Sequence, residues 1–189
     1  MSDAKILAIW EGTNGIQAMD LMMRKILMNK EQKSYKALRK RMDETVAKAK
    51  GIVDDKYLEL FNSSLAKLDE VIEFFKGLMA TGKFLNIFAQ ATPFLDAIYM
   101  VAIAWMHVWM LTITQPKMQA LVGDAKGADR DKLLAENDEA AFYSGKVLSS
   151  QFYLGTELPK FFGRVKAITF NEAATVKATP AIFTGALAE

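Results

Sequence analysis

From Phe94 to Thr114 the chain reads FLDAIYMVAIAWMHVWMLTIT, a run about long enough to cross a bilayer core and too apolar to lie open to water. Either it spans a membrane or it is the central helix of a bundle, hydrophobic on nearly all sides. Three features speak against a span. Asp96 and His107 both lie within the run, no basic cluster flanks either end, and no second segment of the kind exists in the sequence. The run is therefore read as a buried helix, and the rest of the chain must supply the elements that cover it.

Those elements are visible as helical periodicity. After the turn EGTNG at 11–15, the residues Ile16, Met19, Met22, Met23, Ile26 and Leu27 repeat at helical spacing, which predicts a first helix from about Gly15 to Lys30 with Asn14 and Gln17 as a capping pair. A second helix starts near Ser34, carries Leu38, Met42, Val46 and Ala49 inward, and stops near Gly51. The third runs from about Lys56 through Leu60, Leu68, Phe75 and Met79 to the breaker Thr81-Gly82. The apolar run is the fourth, from Pro93 to Thr114, closed by Pro116; Lys117 to Val122 has room for a further turn, and Gly123 to Lys132 reads as a polar surface loop. A long fifth helix is expected over Asp131 to Ala167, kinked or broken at Pro159, whose ring removes a hydrogen bond and crowds the preceding turn. The tail from Asn171 to Glu189 either docks through Ile182 and Phe183 or is disordered. No strand pattern, internal repeat or interdomain linker stands out. The expected fold is an all-α antiparallel helical bundle of four to five helices.

Composition narrows the function classes. The 189 residues are 51% hydrophobic and 24% charged, so the chain folds, and its length suits one domain or one and a half. Cysteine is absent, which removes disulfides, thiolate metal sites and cysteine nucleophiles and fits a reducing compartment, so a cytoplasmic location is expected. No signal peptide is visible, because Ser2 to Lys5 leads into no long apolar run. A net charge of +2 gives no reason to expect nucleic acid. The stretch Arg24 to Lys50 is basic and Asp54 to Glu73 acidic, which reads as complementary solvated faces on neighbouring helices. His107, the one histidine, reads as a hydrogen-bonded core residue; Asp96 stands about three turns away, beyond its reach without a bend. Asp69, Glu70 and Glu73 share a helix side but lack the accompanying Glu-x-x-His of a di-metal site, so no metal is expected. The methionines suit irregular gaps in a bundle.

The residues that carry chemistry stand near the start. IWEGTNGIQAMDLMMRKIL, Ile9 to Leu27, resembles the signature near the C-terminal end of the acyl-CoA dehydrogenases, where a Tyr-Glu-Gly-Thr box leads into a Gln-containing helix. It is most similar to the methylmercaptopropionyl-CoA dehydrogenase-like branch, whose members carry an additional C-terminal helical region. The specific part of the likeness covers about the first 30 residues; the remainder is similar in length, helicity and its alanine-rich end. The resemblance implies that Glu11 is the catalytic base taking the α-proton of an acyl-CoA while hydride leaves the β-carbon for FAD. A carboxylate in an apolar pocket beside an aromatic suits that task, since desolvation raises its pKa towards that of a weak carbon acid's partner. The backbone N–H of Glu11 is implied as a donor to the thioester carbonyl. Trp10 and Gly12 are implied at the substrate, and Thr13 and Gln17 at the cofactor. Trp10 stands where the family commonly has Tyr, and Gly15 where many members have a polar residue.

In that family the flavin and acyl-CoA sites draw mainly on an N-terminal helical domain, a middle β-domain and earlier helices, none of which fits before Glu11. The resemblance therefore implies a C-terminal part of a larger dehydrogenase, with residues 1–30 the end of its C-terminal helical domain, 31–170 an additional bundle and 171–189 a tail. Such a part is expected to bind no flavin and to be inactive alone. Its partners would be the missing domains, the acyl-CoA substrate and further copies in a homo-oligomer. A second class of function remains open, a stand-alone helical interaction or oligomerisation module descended from such an enzyme.

Overall fold

A computed structural model describes residues 13–184, and among these every element is helical. The first helix, α1 (Asn14–Asp20), passes without a break into a π-helical segment, Leu21–Leu27. Thr13 occupies the N-cap position and its carbonyl accepts from the Gln17 N–H at 2.9 Å, so Asn14 lies inside the helix and is not a capping residue. The widened turn closes with the Met28 N–H bonding to the Met23 carbonyl at 2.7 Å, five residues back. Ala18, Met22 and Ile26 keep one side buried throughout.

Gln32, held in the left-handed region at φ 49°, starts α2 (Lys33–Ala49). Asp54 accepts a hydrogen bond from the Lys56 N–H and caps α3 (Asp55–Ala80). A short helix absent from the periodicity reading, α4 (Phe84–Ala89), leads into α5 (Ala91–Val122). α5 does not stop at Pro116. It continues through it, because Val122 beyond the proline is buried and Met118 packs against the core. The polar stretch after it is not a plain loop either, since α6 (Gly127–Glu136) forms there with no buried residue. Asn137 then interrupts what reads as one long helix: its side chain accepts from the Ala140 N–H at 3.0 Å and caps α7 (Asp138–Phe152). Ahead of Pro159 the chain widens again into a π-helical segment, Tyr153–Glu157, and α8 (Lys160–Phe170) resumes after it. That loosened turn accommodates a ring that has no N–H and would crowd the carbonyl of Gly155. Two short helices end the described chain, α9 (Ala174–Lys177) and α10 (Pro180–Thr184). Ile182 and Phe183 are exposed and so do not enter the core.

α5 is the centre of the assembly. It lies antiparallel to α7, with His107 beside Ser150, Met100 beside Tyr153 and Lys117 beside Tyr143. It also lies antiparallel to α3, where the Phe75 and Phe94 rings meet edge to face at 5.3 Å. α2 runs antiparallel to α3 and is tied to α5 by Trp105 Nε1, which donates to Thr45 Oγ1 at 2.7 Å. Phe61, Phe75, Phe94, Phe161, Met22 and Leu111 are among the largest fully buried side chains and come from α1's continuation, α3, α5 and α8 alike. One core is therefore shared by the whole bundle. α5 is long and apolar enough to cross a membrane, and here Phe94, Val101, Ala104, Val108 and Leu111 on it are buried against other helices. The all-α bundle expected from the periodicity is the observed fold.

Candidate functional site

Of the residues singled out for chemistry, Trp10, Glu11 and Gly12 lie outside the described residues. Thr13 caps the first turn of α1 and Gln17 lies within it, Thr13 half-buried and Gln17 exposed. The helix beneath them is fixed from the opposite side, where Ala18 and Met22 are fully buried. Arg24 donates to Asp20 through Nη2 at 2.8 Å and also through Nε, which holds the Asp20 carboxyl below its ordinary range. The end of the motif is thus carried on a helix whose buried side is anchored and whose other side is open.

A second cluster lies between α2 and α3. Tyr35 Oη donates to Asp69 Oδ1 at 2.5 Å, Arg39 Nε donates to Asp69 Oδ2 at 3.4 Å, and Arg39 also pairs with Asp43. Burial, then the hydrogen bond to Asp69, pushes the Tyr35 hydroxyl well above its ordinary pKa, because both disfavour the phenolate. With Gln32, Lys36 and Ile72 these residues line an open groove of about 450 Å³. Basic and acidic side chains alternate along it and most already pair with one another, which makes it a clamp between two helices. Along the acidic run on α3, Asp69 joins the clamp, Glu73 lines the groove and pairs with Lys76 at 2.6 Å, and Glu70 pairs with Lys67 at 2.5 Å on exposed ground. No group of three or more potential ligands capable of holding a metal ion occurs among the described residues.

His107 sits between α5 and α7. Its Nδ1 is 3.1 Å from Ser150 Oγ, and its ring stacks on Tyr153 with centroids 4.6 Å apart. Burial lowers its pKa, so the neutral imidazole is favoured. Asp96 does not reach it; Arg164 Nη1 donates to Asp96 Oδ2 at 2.7 Å instead. A serine beside a histidine invites a nucleophile reading, but Ser150 is fully buried and its hydroxyl also contacts Met110 Sδ at 3.5 Å. The group holds two helices together. The Tyr35–Asp69 clamp escaped the reading of the sequence because its partners stand far apart in the chain; the one local signal was Tyr35 and Arg39 at a spacing of four on a basic helix.

Comparison with known proteins assigns this helical bundle to a family. Residues 38–179 match the family described as acetyl-CoA dehydrogenase C-terminal like, and the chain belongs to that family. Two proteins of Syntrophomonas wolfei subsp. wolfei (strain DSM 2245B / Goettingen), both named butyryl-CoA dehydrogenase, are similar to it over 176 residues, at 27% and 26% identity. Each alignment covers 92% of this chain and 26% of the relative, so the chain spans about a quarter of the length of the curated relatives it matches. No solved structure matches it.

Proposed function

We propose that this chain is the C-terminal part of a flavin-dependent acyl-CoA dehydrogenase, from the branch similar to methylmercaptopropionyl-CoA dehydrogenases, and that it is inactive alone. The observation that carries this reading is the alignment over 92% of the chain with proteins named butyryl-CoA dehydrogenase, together with the EGTNGIQ string at 11–17. In the whole enzyme the Glu11 carboxylate removes the α-proton of the acyl thioester, while its backbone N–H donates to the thioester carbonyl and holds the developing negative charge. Bound FAD supplies the acceptor for the hydride that leaves the β-carbon. Thr13 and Gln17 stand at the cofactor, Gly12 lets the backbone approach the thioester, and Trp10 shapes the acyl pocket. Residues 1–30 then complete the dehydrogenase's own helical domain, and 31–170 form the added bundle that covers it.

The test is a chimera in which this chain replaces the matching last quarter of a butyryl-CoA dehydrogenase. It is expected to bind FAD and to reduce an artificial electron acceptor when given butyryl-CoA, whereas the 189-residue chain alone stays colourless. Glu11→Gln in the chimera keeps the flavin spectrum and lowers kcat by about 10²–10⁴-fold, the range for losing a general base. An unchanged rate in that variant, or stoichiometric flavin on the isolated chain, overturns the reading.

A further inference from the structure

The reversal between the antiparallel helices α3 and α5 makes one end of the bundle, and α4 occupies it. Ile87, fully buried, seats the inner side of α4; Phe84, Leu85 and Phe88, spaced to share the other side, are 43%, 62% and 40% exposed. The end of α8 arrives beside this helix, since Asn86 Nδ2 donates to Asn171 Oδ1 at 3.4 Å, and the neighbouring Phe170 is 76% exposed. α9 packs on α4 as well. Four large apolar side chains therefore stand out at one tip of the molecule. An apolar cluster left in water marks a contact surface.

The charge around them has one sign. Lys83 immediately precedes α4, Lys166 stands one turn before Phe170 on the same side of α8, and Lys177 ends α9. All three are exposed, and among the described residues none of them forms an ion pair. Other cations nearby are engaged, Lys76 by Glu73, Lys160 by Glu157 and Arg164 by Asp96. The sequence holds no Asp or Glu between Glu73 and Asp96, and only Glu172 between 158 and 188. Glu70, which shares a recess with Lys166, pairs with Lys67 at 2.5 Å. A complementary partner must therefore be apolar within and anionic at its surface. We propose that this tip is a peripheral docking surface for an anionic lipid bilayer, with Phe84, Leu85, Phe88 and Phe170 entering the acyl boundary and Lys83, Lys166 and Lys177 meeting the phosphates. The long lysine stems let the ammonium groups stay at the headgroups while the rings go deeper. A nucleic acid would take the lysines and leave Leu85 in water, and an acidic protein would need a hollow shaped to four projecting side chains. The docking surface stands on these residues alone, independently of the dehydrogenase reading.

The purified chain is expected to sediment with phosphatidylcholine vesicles containing about 30% phosphatidylglycerol, at about 1 mM lipid. It should stay in solution with pure phosphatidylcholine, and come off the anionic vesicles at about 0.5 M salt. Leu85→Glu combined with Phe88→Glu is expected to abolish the sedimentation while leaving the helical circular dichroism unchanged. Lys83→Gln, Lys166→Gln and Lys177→Gln should each weaken it roughly fivefold. Because the chain has no cysteine, a polarity-sensitive dye can be attached at one chosen site. On Leu85→Cys its emission should shift to the blue with anionic vesicles; on Glu136→Cys, in α6 beyond the far end of α5, it should not. A chain that ignores anionic vesicles would overturn the proposal and leave the tip to a protein partner. Equal binding to neutral vesicles, undiminished binding after the double substitution, or a dye shift at Glu136 as large as that at Leu85 would each overturn it too. None of these results bears on FAD binding by the chimera, so the two readings fail separately.

Discussion

Tyr35 shows how a single polar group can settle the geometry of two helices. Its hydroxyl is held against a carboxylate from the next helix, after one reversal of the chain, and its apolar ring packs on the core. Hydrogen bonds to a charged partner contribute roughly 1.5–3 kcal/mol, so Tyr35→Phe is expected to lower stability in urea by about that much. The same pair makes stability depend on alkali. The Tyr35 pKa is raised in the folded chain above the ordinary 10.0, so the folded state resists ionisation that the unfolded state accepts. The contribution is complete below pH 10.0 and lost as pH rises further. Urea midpoints should therefore fall above that pH, and less steeply in Tyr35→Phe; a residual slope comes from Tyr153, which burial pushes up to about 12. A variant as alkali-sensitive as the parent would show that the hydrogen bond does not set the response.

At the level of elements, the long apolar and amphipathic stretches were legible and the junctions were not. α3 could be read within a residue or two, because its cap at Asp54 and its breaker at Thr81-Gly82 are both chemical signals. Pro116 was misleading. A proline in a helix interior forfeits one hydrogen bond and strains the turn before it, a penalty of about 3 kcal/mol, yet burial of Val122 and the packing of Met118 keep α5 going. Tertiary packing outweighed a local rule that the sequence alone could only apply locally. The prediction is that Pro116→Ala, at an exposed position, raises stability by roughly 1–3 kcal/mol without changing the fold, as read by thermal or urea unfolding. Asn137 failed in the other direction. It lies inside a helical period, but its side chain competes for the backbone N–H of Ala140 and starts a new helix. The brief helices α4 and α6 bury almost nothing, so periodicity had no apolar stripe from which to detect them.

Across the whole molecule, the motif's helix and the bundle share one interior. Met22, Ile26 and Leu27 are buried in the same cluster as α3 and α5, and Leu21 and Ile26 line a small cavity with Tyr35, Leu38 and Ile98. Removing residues 1–30 should therefore cost several kcal/mol, since each large buried side chain lost from a core costs roughly 2–5 kcal/mol. A chain from Glu31 onward with an undiminished urea midpoint would show that the bundle is a separate folding unit. The helix that carries Thr13 and Gln17 was legible through its apolar period, whereas the α2–α3 clamp was not, because contacts between distant parts of a chain leave little local trace. The π-helical segment Leu21–Leu27 joins these two levels. Each residue of an α-helix advances the chain by about 100° around its axis, so a single-residue deletion there, rewinding the widened turns, would swing Thr13 and Gln17 to a different bearing while Ile26 and Leu27 stayed seated. One codon gained or lost at the joint would thus re-aim the motif, at the cost of turning the buried Ala18 away from the core.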